Sequence, residues 1–139
     1  MPRSLALSIV APHGRNIALG RKTIEVRSWR PPRLPLSDLL VVENDVFLLE
    51  DGQTDPGGWA VALVDVVLVE PWQPAHLTAA CATRWEPGYH AWHLQTVRPF
   101  ACPRPVLAAR KLYEVEFDDQ PDPDDQPAIR SVRQPGTPE

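Results

Sequence analysis

The chain has 139 residues, of which 43% are hydrophobic and 23% charged, and its formal net charge is −4. This length suits one domain with a modest core, and no apolar run approaches the roughly 20 residues that cross a bilayer, so we expect no membrane partner. The first apolar stretch is short and lacks a small-residue cleavage site, so we expect no signal peptide. Cys81 and Cys102 fit no metal-binding spacing. We therefore expect two reduced thiols in a cytoplasmic protein, with one disulfide as the open alternative.

Charge is unevenly distributed along the chain. Residues 1–33 hold seven cationic side chains against Glu25 alone, whereas residues 34–97 hold nine acids and one base. Residues 118–139 add six acids against two arginines, and this Asp- and Pro-rich segment is predicted to be a disordered tail. We therefore expect one domain over residues 1–117, with a local cationic face that can attract phosphate on an acidic body.

Hydrophobic alternation and turn residues predict a chain built mainly of short strands. The predicted elements are, in chain order, a strand at 5–10, a helix at 13–20, a strand at 22–29, a loop at 30–35, two strands within 38–51, a turn at 52–58, a long strand at 59–72, a helix at 74–85, a turn and strand at 86–100, and a closing strand at 112–117. This succession favours an α+β fold, a small closed β-barrel of five to seven strands with two or three short helices. Closure would remove the exposed edges of valine-rich strands.

The stretch ALGRKTIEVRSWRPP, residues 18–32, concentrates cationic and aromatic side chains around one carboxylate. Its G-x-K-x-x-E-x-R-S-W pattern follows a strand reading L-S-I and a turn at Pro12, and it resembles the opening of an ASCH domain, the activating-signal-cointegrator homology domain of the PUA-like superfamily. The later stretches GWAVALVDVVLVEPW and AWHLQTVRPF resemble further strands of that family, so the resemblance extends over about residues 5–117. One departure is His13, which stands where the family carries the aromatic residue of a Q-P-W-like turn.

The resemblance implies a cleft beside the first helix that holds a nucleobase or binds RNA. Lysine and arginine suit phosphate, a carboxylate suits the exocyclic amine of a base, and tryptophan suits stacking. The candidate binding residues are Arg15, Lys22, Glu25, Arg27, Trp29 and Arg30, with Trp92 or Tyr89 as further stacking surfaces.

Each of these candidates also has a purely structural alternative. Glu25 could pair with Arg27 two positions along the same strand face, and Trp29 could belong to the core. The arginines could be ordinary solvated surface, and Lys22 could complement the end of the preceding helix.

The resemblance also implies an enzymatic alternative. Some small bacterial members of the family hydrolyse the amide of acetylated cytidine, with the lysine of G-x-K acting as base towards a threonine three residues later. In this chain the lysine is Lys22 but the threonine position is Glu25, and Thr23 points the other way along the strand. Lys22 and Glu25 would then be the catalytic pair of a different mechanism, acting on a water or, with a histidine such as His13, on a 2′-hydroxyl of RNA.

A third hypothesis is a protein-interaction domain whose acidic tail contacts a basic partner or shields the cationic face. No cofactor and no metal are predicted. His90 and His93 fall on opposite faces of a strand, and His13 and His76 stand alone in the sequence, so no ligand set is evident.

Overall fold

In the computed structural model, described over residues 3–117, the chain is mostly β with one α-helix and one 3-10 turn. The elements are β1 (Arg3–Val10), α1 (His13–Ala18), β2 (Ile24–Arg27), β3 (Leu36–Asn44), β4 (Thr54–Asp55), β5 (Trp59–Pro71), the 3-10 turn (Pro74–His76), β6 (His90–Pro105), β7 (Ala108–Ala109) and β8 (Leu112–Glu116). The predicted tail at 118–139 lies outside the described residues. Across the described part of the chain, no helix has the length and apolar character to cross a membrane.

Six strands form one sheet in the order β2–β6–β5–β3–β1–β8, and β4 pairs with β7 in a separate ribbon. β1 and β3 are parallel, and the other neighbours in the sheet are antiparallel. β2 and β8 form the two edges, so backbone pairing within residues 3–117 does not close the predicted barrel. β2 is only four residues long and soon meets Pro31 and Pro32, which cannot donate to a ladder.

A side chain crosses the interval between β2 and β1 instead. The Arg27 guanidinium on β2 donates a hydrogen bond from Nη2 to the Ser8 carbonyl on β1 at 3.0 Å. β2 is therefore joined to β6 by backbone hydrogen bonds and to β1 by the Arg27 guanidinium.

The sheet buries apolar side chains on both faces, and successive residues of a strand contribute to opposite faces. On one face Leu7 and Ile9 of β1 pack with Trp92 and with Ile17 of α1, all of them buried. On the other face Ala6, next to Leu7 in β1, belongs to a second cluster. Its buried members are Ala6, Leu40, Val42, Ala60, Leu63, Ala108 and Phe117.

The predictions for β1, α1, the loop at 30–35, the long β5 and β8 are confirmed within one or two residues at most ends. β6 continues five residues further than predicted, to Pro105. The second of the two strands predicted within 38–51 is wrong, because the chain leaves the sheet after Asn44. Backbone N–H groups of Leu49 and Glu50 donate to the Gln53 side chain rather than to a neighbouring strand.

The helix predicted at 74–85 is wrong beyond its first turn, which is 3-10. A continuing helix would need the carbonyls of Ala79 and Ala80 as acceptors. The Ala79 carbonyl instead accepts from the backbone N–H groups of Thr23 and Ile24, at 2.8 and 3.2 Å, and the Ala80 carbonyl accepts from Lys22. Contacts with the chain before β2 therefore replace the helical ladder.

Candidate functional site

A cleft of about 820 Å³ opens beside β2 and the C-terminal end of β1. One set of lining residues belongs to β2 and its flanks, where Lys22, Glu25, Arg27 and Trp29 all border the cleft. The rest of the wall comes from the distant segments 46–49, 80–84 and 109–111, together with single residues from other elements.

The cleft is cationic although the whole chain is acidic. Among the residues that line it, five are lysine or arginine and one carries a carboxylate, that of Glu25. The cationic residues are Lys22, Arg27, Arg84, Arg110 and Lys111. A concave surface with this balance focuses a positive potential and attracts anionic ligands.

Glu25 lies at the centre of a buried ion cluster. Its Oε1 is 3.4 Å from the Lys22 amino nitrogen, and its Oε2 accepts a hydrogen bond from Arg27 Nε at 2.7 Å. Lys22 and Glu25 are only 5% and 6% exposed. Burial on its own would raise the pKa of Glu25, but the positive charges of Arg27 and then Lys22, with their hydrogen bonds, lower it below the ordinary value.

The turn between α1 and β2 places Lys22 in this cluster. Gly20 takes a positive φ of 79°, the left-handed conformation that ends a helix at little cost for glycine. The backbone N–H groups of Arg21 and Lys22 then donate to the Asn16 carbonyl, at 2.9 and 3.1 Å. The Lys22 amino group donates to the Ala80 carbonyl at 2.6 Å, which ties the turn to the segment after β5.

The aromatic candidates have different environments. Trp29 packs against the core and lines the cleft, and its ring stands edge-on to Trp92 with centroids 5.0 Å apart. Trp92 is fully buried, which excludes it as a stacking surface for a base. Tyr89 lines the cleft and is 38% exposed, so its ring remains accessible.

Two predicted arginines do not line the cleft. Arg15 extends from α1, and its guanidinium lies 3.4 Å from Glu43 Oε1. The other Glu43 oxygen accepts the backbone N–H of Arg15 at 2.7 Å, so a carboxylate from β3 caps the start of α1. Arg30 is exposed on the loop that follows β2 and is absent from the cleft lining.

Sequence reasoning missed Phe47, Arg84, Arg110 and Lys111. These residues lie far from the 18–32 stretch in the chain, and only the fold brings them to the same cleft. The sequence offers one signal for them, the two adjacent cationic residues Arg110 and Lys111 directly before the closing strand.

His13 is the first residue of α1 and borders the cleft. Its Nδ1 is buried and makes no hydrogen bond within the described residues. Burial lowers the pKa of His13, the charge of Lys22 lowers it further, and Glu25 and Glu43 oppose the shift. The imidazole is therefore neutral near pH 7, where it can donate or accept but adds no positive charge.

A second group of titratable side chains lies outside the cleft, where Glu70, His76 and His93 bring ligand-type atoms within 4.8 Å of one another. His93 Nε2 is 2.6 Å and His76 Nε2 is 3.7 Å from the same Glu70 oxygen. His76 Nδ1 accepts the backbone N–H of Gln73, which leaves the ring proton on Nε2, facing the carboxylate. A metal bound at His76 Nε2 would require the ring proton on Nδ1, where it would face the backbone N–H of Gln73. We therefore assign the group as a carboxylate that lies between two imidazoles.

Comparison of the sequence with models of protein families identifies one family. The sequence model of the ASCH domain matches residues 7–104. Among solved structures, the chain is similar to a mutant of the ZmASCH protein from Zymomonas mobilis, at 16% identity and a TM-score of 0.44, with 74% of each chain covered. No curated protein matches the chain.

Proposed function

Because the chain belongs to the ASCH domain family, we propose that its cleft binds RNA or a modified nucleoside and that no bond is broken there. The observation that carries this proposal is the cationic lining of the cleft, five lysines and arginines against one carboxylate in a protein of net charge −4. Phosphate contacts supply most of the affinity of such sites, and aromatic side chains beside them accept bases.

The roles of the lining residues differ with their exposure. Arg84 has 82% of its side chain exposed and pairs only loosely with Glu86, at 3.7 Å, so its guanidinium is free to meet a phosphate. Lys22, by contrast, is buried and donates to a backbone carbonyl. We assign Arg84 and Lys111 as phosphate contacts, and the Lys22–Glu25–Arg27 cluster as the floor that shapes the cleft.

The geometry favours binding over hydrolysis by Lys22 and Glu25. A general base needs a free lone pair and a pKa near the working pH. Both oxygens of Glu25 already face cations, its pKa is lowered, and the Lys22 amino group donates to Ala80. Glu25 also stands where the acetylcytidine hydrolases of the family carry a threonine, so neither of the two residues has the arrangement that this chemistry requires.

Fluorescence anisotropy with a labelled single-stranded RNA, repeated over a series of salt concentrations, tests the proposal. We expect binding at low salt that weakens as salt rises, and we expect Arg84→Ala to reduce the slope of log affinity against log salt by about 0.7, the value for one phosphate contact on a single strand.

Arg3→Ala is the matched control. Arg3 is also an exposed arginine in an ion pair, with Glu114 at 3.0 Å, but it lies outside the cleft. We expect its salt slope to equal that of the unaltered protein. Absence of RNA binding at low salt would refute RNA as the ligand and leave only the modified nucleoside, and equal losses in both variants would assign the binding to net charge rather than to the cleft.

A further inference from the structure

The loop after β3 presents apolar side chains to solvent at the wall of the cleft. Phe47 is 71% exposed and Leu49 is 72% exposed, and both line the cleft. Exposed apolar groups beside a cationic concavity are unfavourable in the free protein and are characteristic of binding surfaces. An aromatic ring in this position offers a face for stacking that a buried tryptophan does not.

The loop is held in place on both sides of Phe47. Asn44 Nδ2 donates to the Val46 carbonyl at 2.7 Å, and Arg110 Nε donates to the Leu48 carbonyl at 3.2 Å. The Arg110 guanidinium also donates to Asp51 Oδ1 at 2.7 Å. The exposure of Phe47 is thus fixed by hydrogen bonds to the backbone on either side of it.

Two cations border the same cleft from separate segments. Arg84 lies in the segment that follows β5, and Lys111 lies in the turn before β8. Lys111 takes a positive φ of 58°, is exposed, and makes no ion pair with any residue in 3–117. Its amino group lies 6.0 Å from the centre of the Trp29 ring, at the edge of the cleft.

We propose that the cleft takes an unpaired segment of RNA, with one base stacked on Phe47 and with flanking phosphates bound by Arg84 and Lys111. This inference rests on the proposed function and specifies its ligand. A free nucleoside has no phosphate for the two cations, and a duplex hides the faces of its bases within the helical stack. An unpaired strand offers both groups to one cleft.

The test compares an eight-nucleotide single-stranded RNA with the same sequence as a blunt duplex, by anisotropy, for Phe47→Ala, Phe47→Tyr and Lys111→Ala. Stacking of one base is worth about 1–3 kcal/mol, which corresponds to a loss of roughly 5- to 150-fold for Phe47→Ala. Its salt slope should stay unchanged, because no phosphate contact is removed. Lys111→Ala should reduce the salt slope by about 0.7, and Phe47→Tyr should retain affinity because it keeps the ring.

Leu107→Ala is the control for loss of an exposed apolar side chain, since Leu107 is 47% exposed and does not line the cleft. Thermal melting of each variant verifies that it folds. If the unaltered protein binds no RNA, RNA as the ligand of the proposed function and this inference both fail. If it binds single strands but Phe47→Ala binds equally well, or if the duplex or a free nucleotide competes as effectively as the single strand, only the inference is overturned.

Discussion

Replacing Glu25 with glutamine removes one negative charge at the floor of the cleft and leaves the side chain almost the same size. The change leaves the positive charges of Lys22 and Arg27 without their carboxylate partner. Lys22, which is 5% exposed, keeps its hydrogen bond to the Ala80 carbonyl but loses its counterion. Arg27 loses the negative charge of its partner at 2.7 Å and keeps its hydrogen bond to Ser8. We therefore expect Glu25→Gln to destabilise the fold severely at neutral pH.

The expected magnitude follows from the burial of the cluster. Breaking a buried ion pair by removing one partner costs about 3–5 kcal/mol, because the other charge stays desolvated without its counterion. For a domain of this size that loss corresponds to a melting temperature lower by about 10–20 °C. The double variant Lys22→Met with Glu25→Gln also removes the unpaired positive charge of Lys22, so it should recover part of the lost stability.

The assay is chemical unfolding followed by circular dichroism at several pH values. The pKa of Glu25 in the folded protein lies below its ordinary value of 4.5, so the stability that the carboxylate contributes is complete above that value and is lost as pH falls through the folded-state pKa. The difference in stability between the unaltered protein and Glu25→Gln should therefore be largest at neutral pH and should shrink in acid. A difference under about 0.5 kcal/mol at pH 7, or one that grows in acid, would refute this account of the cluster.

Two further predictions concern packing around the site. Gly14→Ala should destabilise the protein by about 1–3 kcal/mol in urea unfolding, because a Cβ on Gly14 would lie 2.7 Å from Glu43 Cβ; a stability equal to or above that of the unaltered protein would show that β3 can move away from α1. Trp92→Ala should cost about 3–5 kcal/mol in the same measurement, and Trp29→Ala should cost less because Trp29 is only partly buried; the reverse order would contradict the assignment of Trp92 to the core.

The parts of the fold that the sequence predicted well are those fixed by local pattern. The valine-rich run from Trp59 specifies β5, and Gly20 ends α1 as a residue able to adopt the left-handed conformation. The pairing of Glu25 with Arg27 was also open to prediction, since residues two apart on a strand share a face.

The parts that could not be predicted depend on contacts between distant segments. The alanine-rich stretch after Pro74 has helical character, yet its carbonyls accept hydrogen bonds from the chain around Lys22, and no local pattern encodes that competition. Convergence of Arg84 and Lys111 on one cleft is likewise a product of topology, because they lie in separate loop segments, one before β6 and one before β8. The apolar run at 46–49 looks like a strand because the sequence shows apolar side chains but not whether they are buried in a core or exposed, as Phe47 and Leu49 are.

The guanidinium that crosses from β2 to Ser8 belongs both to the framework of the fold and to the lining of the cleft. β2 is an edge strand that pairs with β6. Beyond that pairing, the backbone N–H of Ile24 donates to the Ala79 carbonyl, and Arg27 donates to the Ser8 carbonyl. Arg27 also lines the cleft, and its guanidinium has more N–H donors than its contacts with Glu25 and Ser8 use, so a phosphate that reaches it can be bound without breaking either contact. The side chain that joins β2 to β1 is therefore also one that an anionic ligand in the cleft would meet.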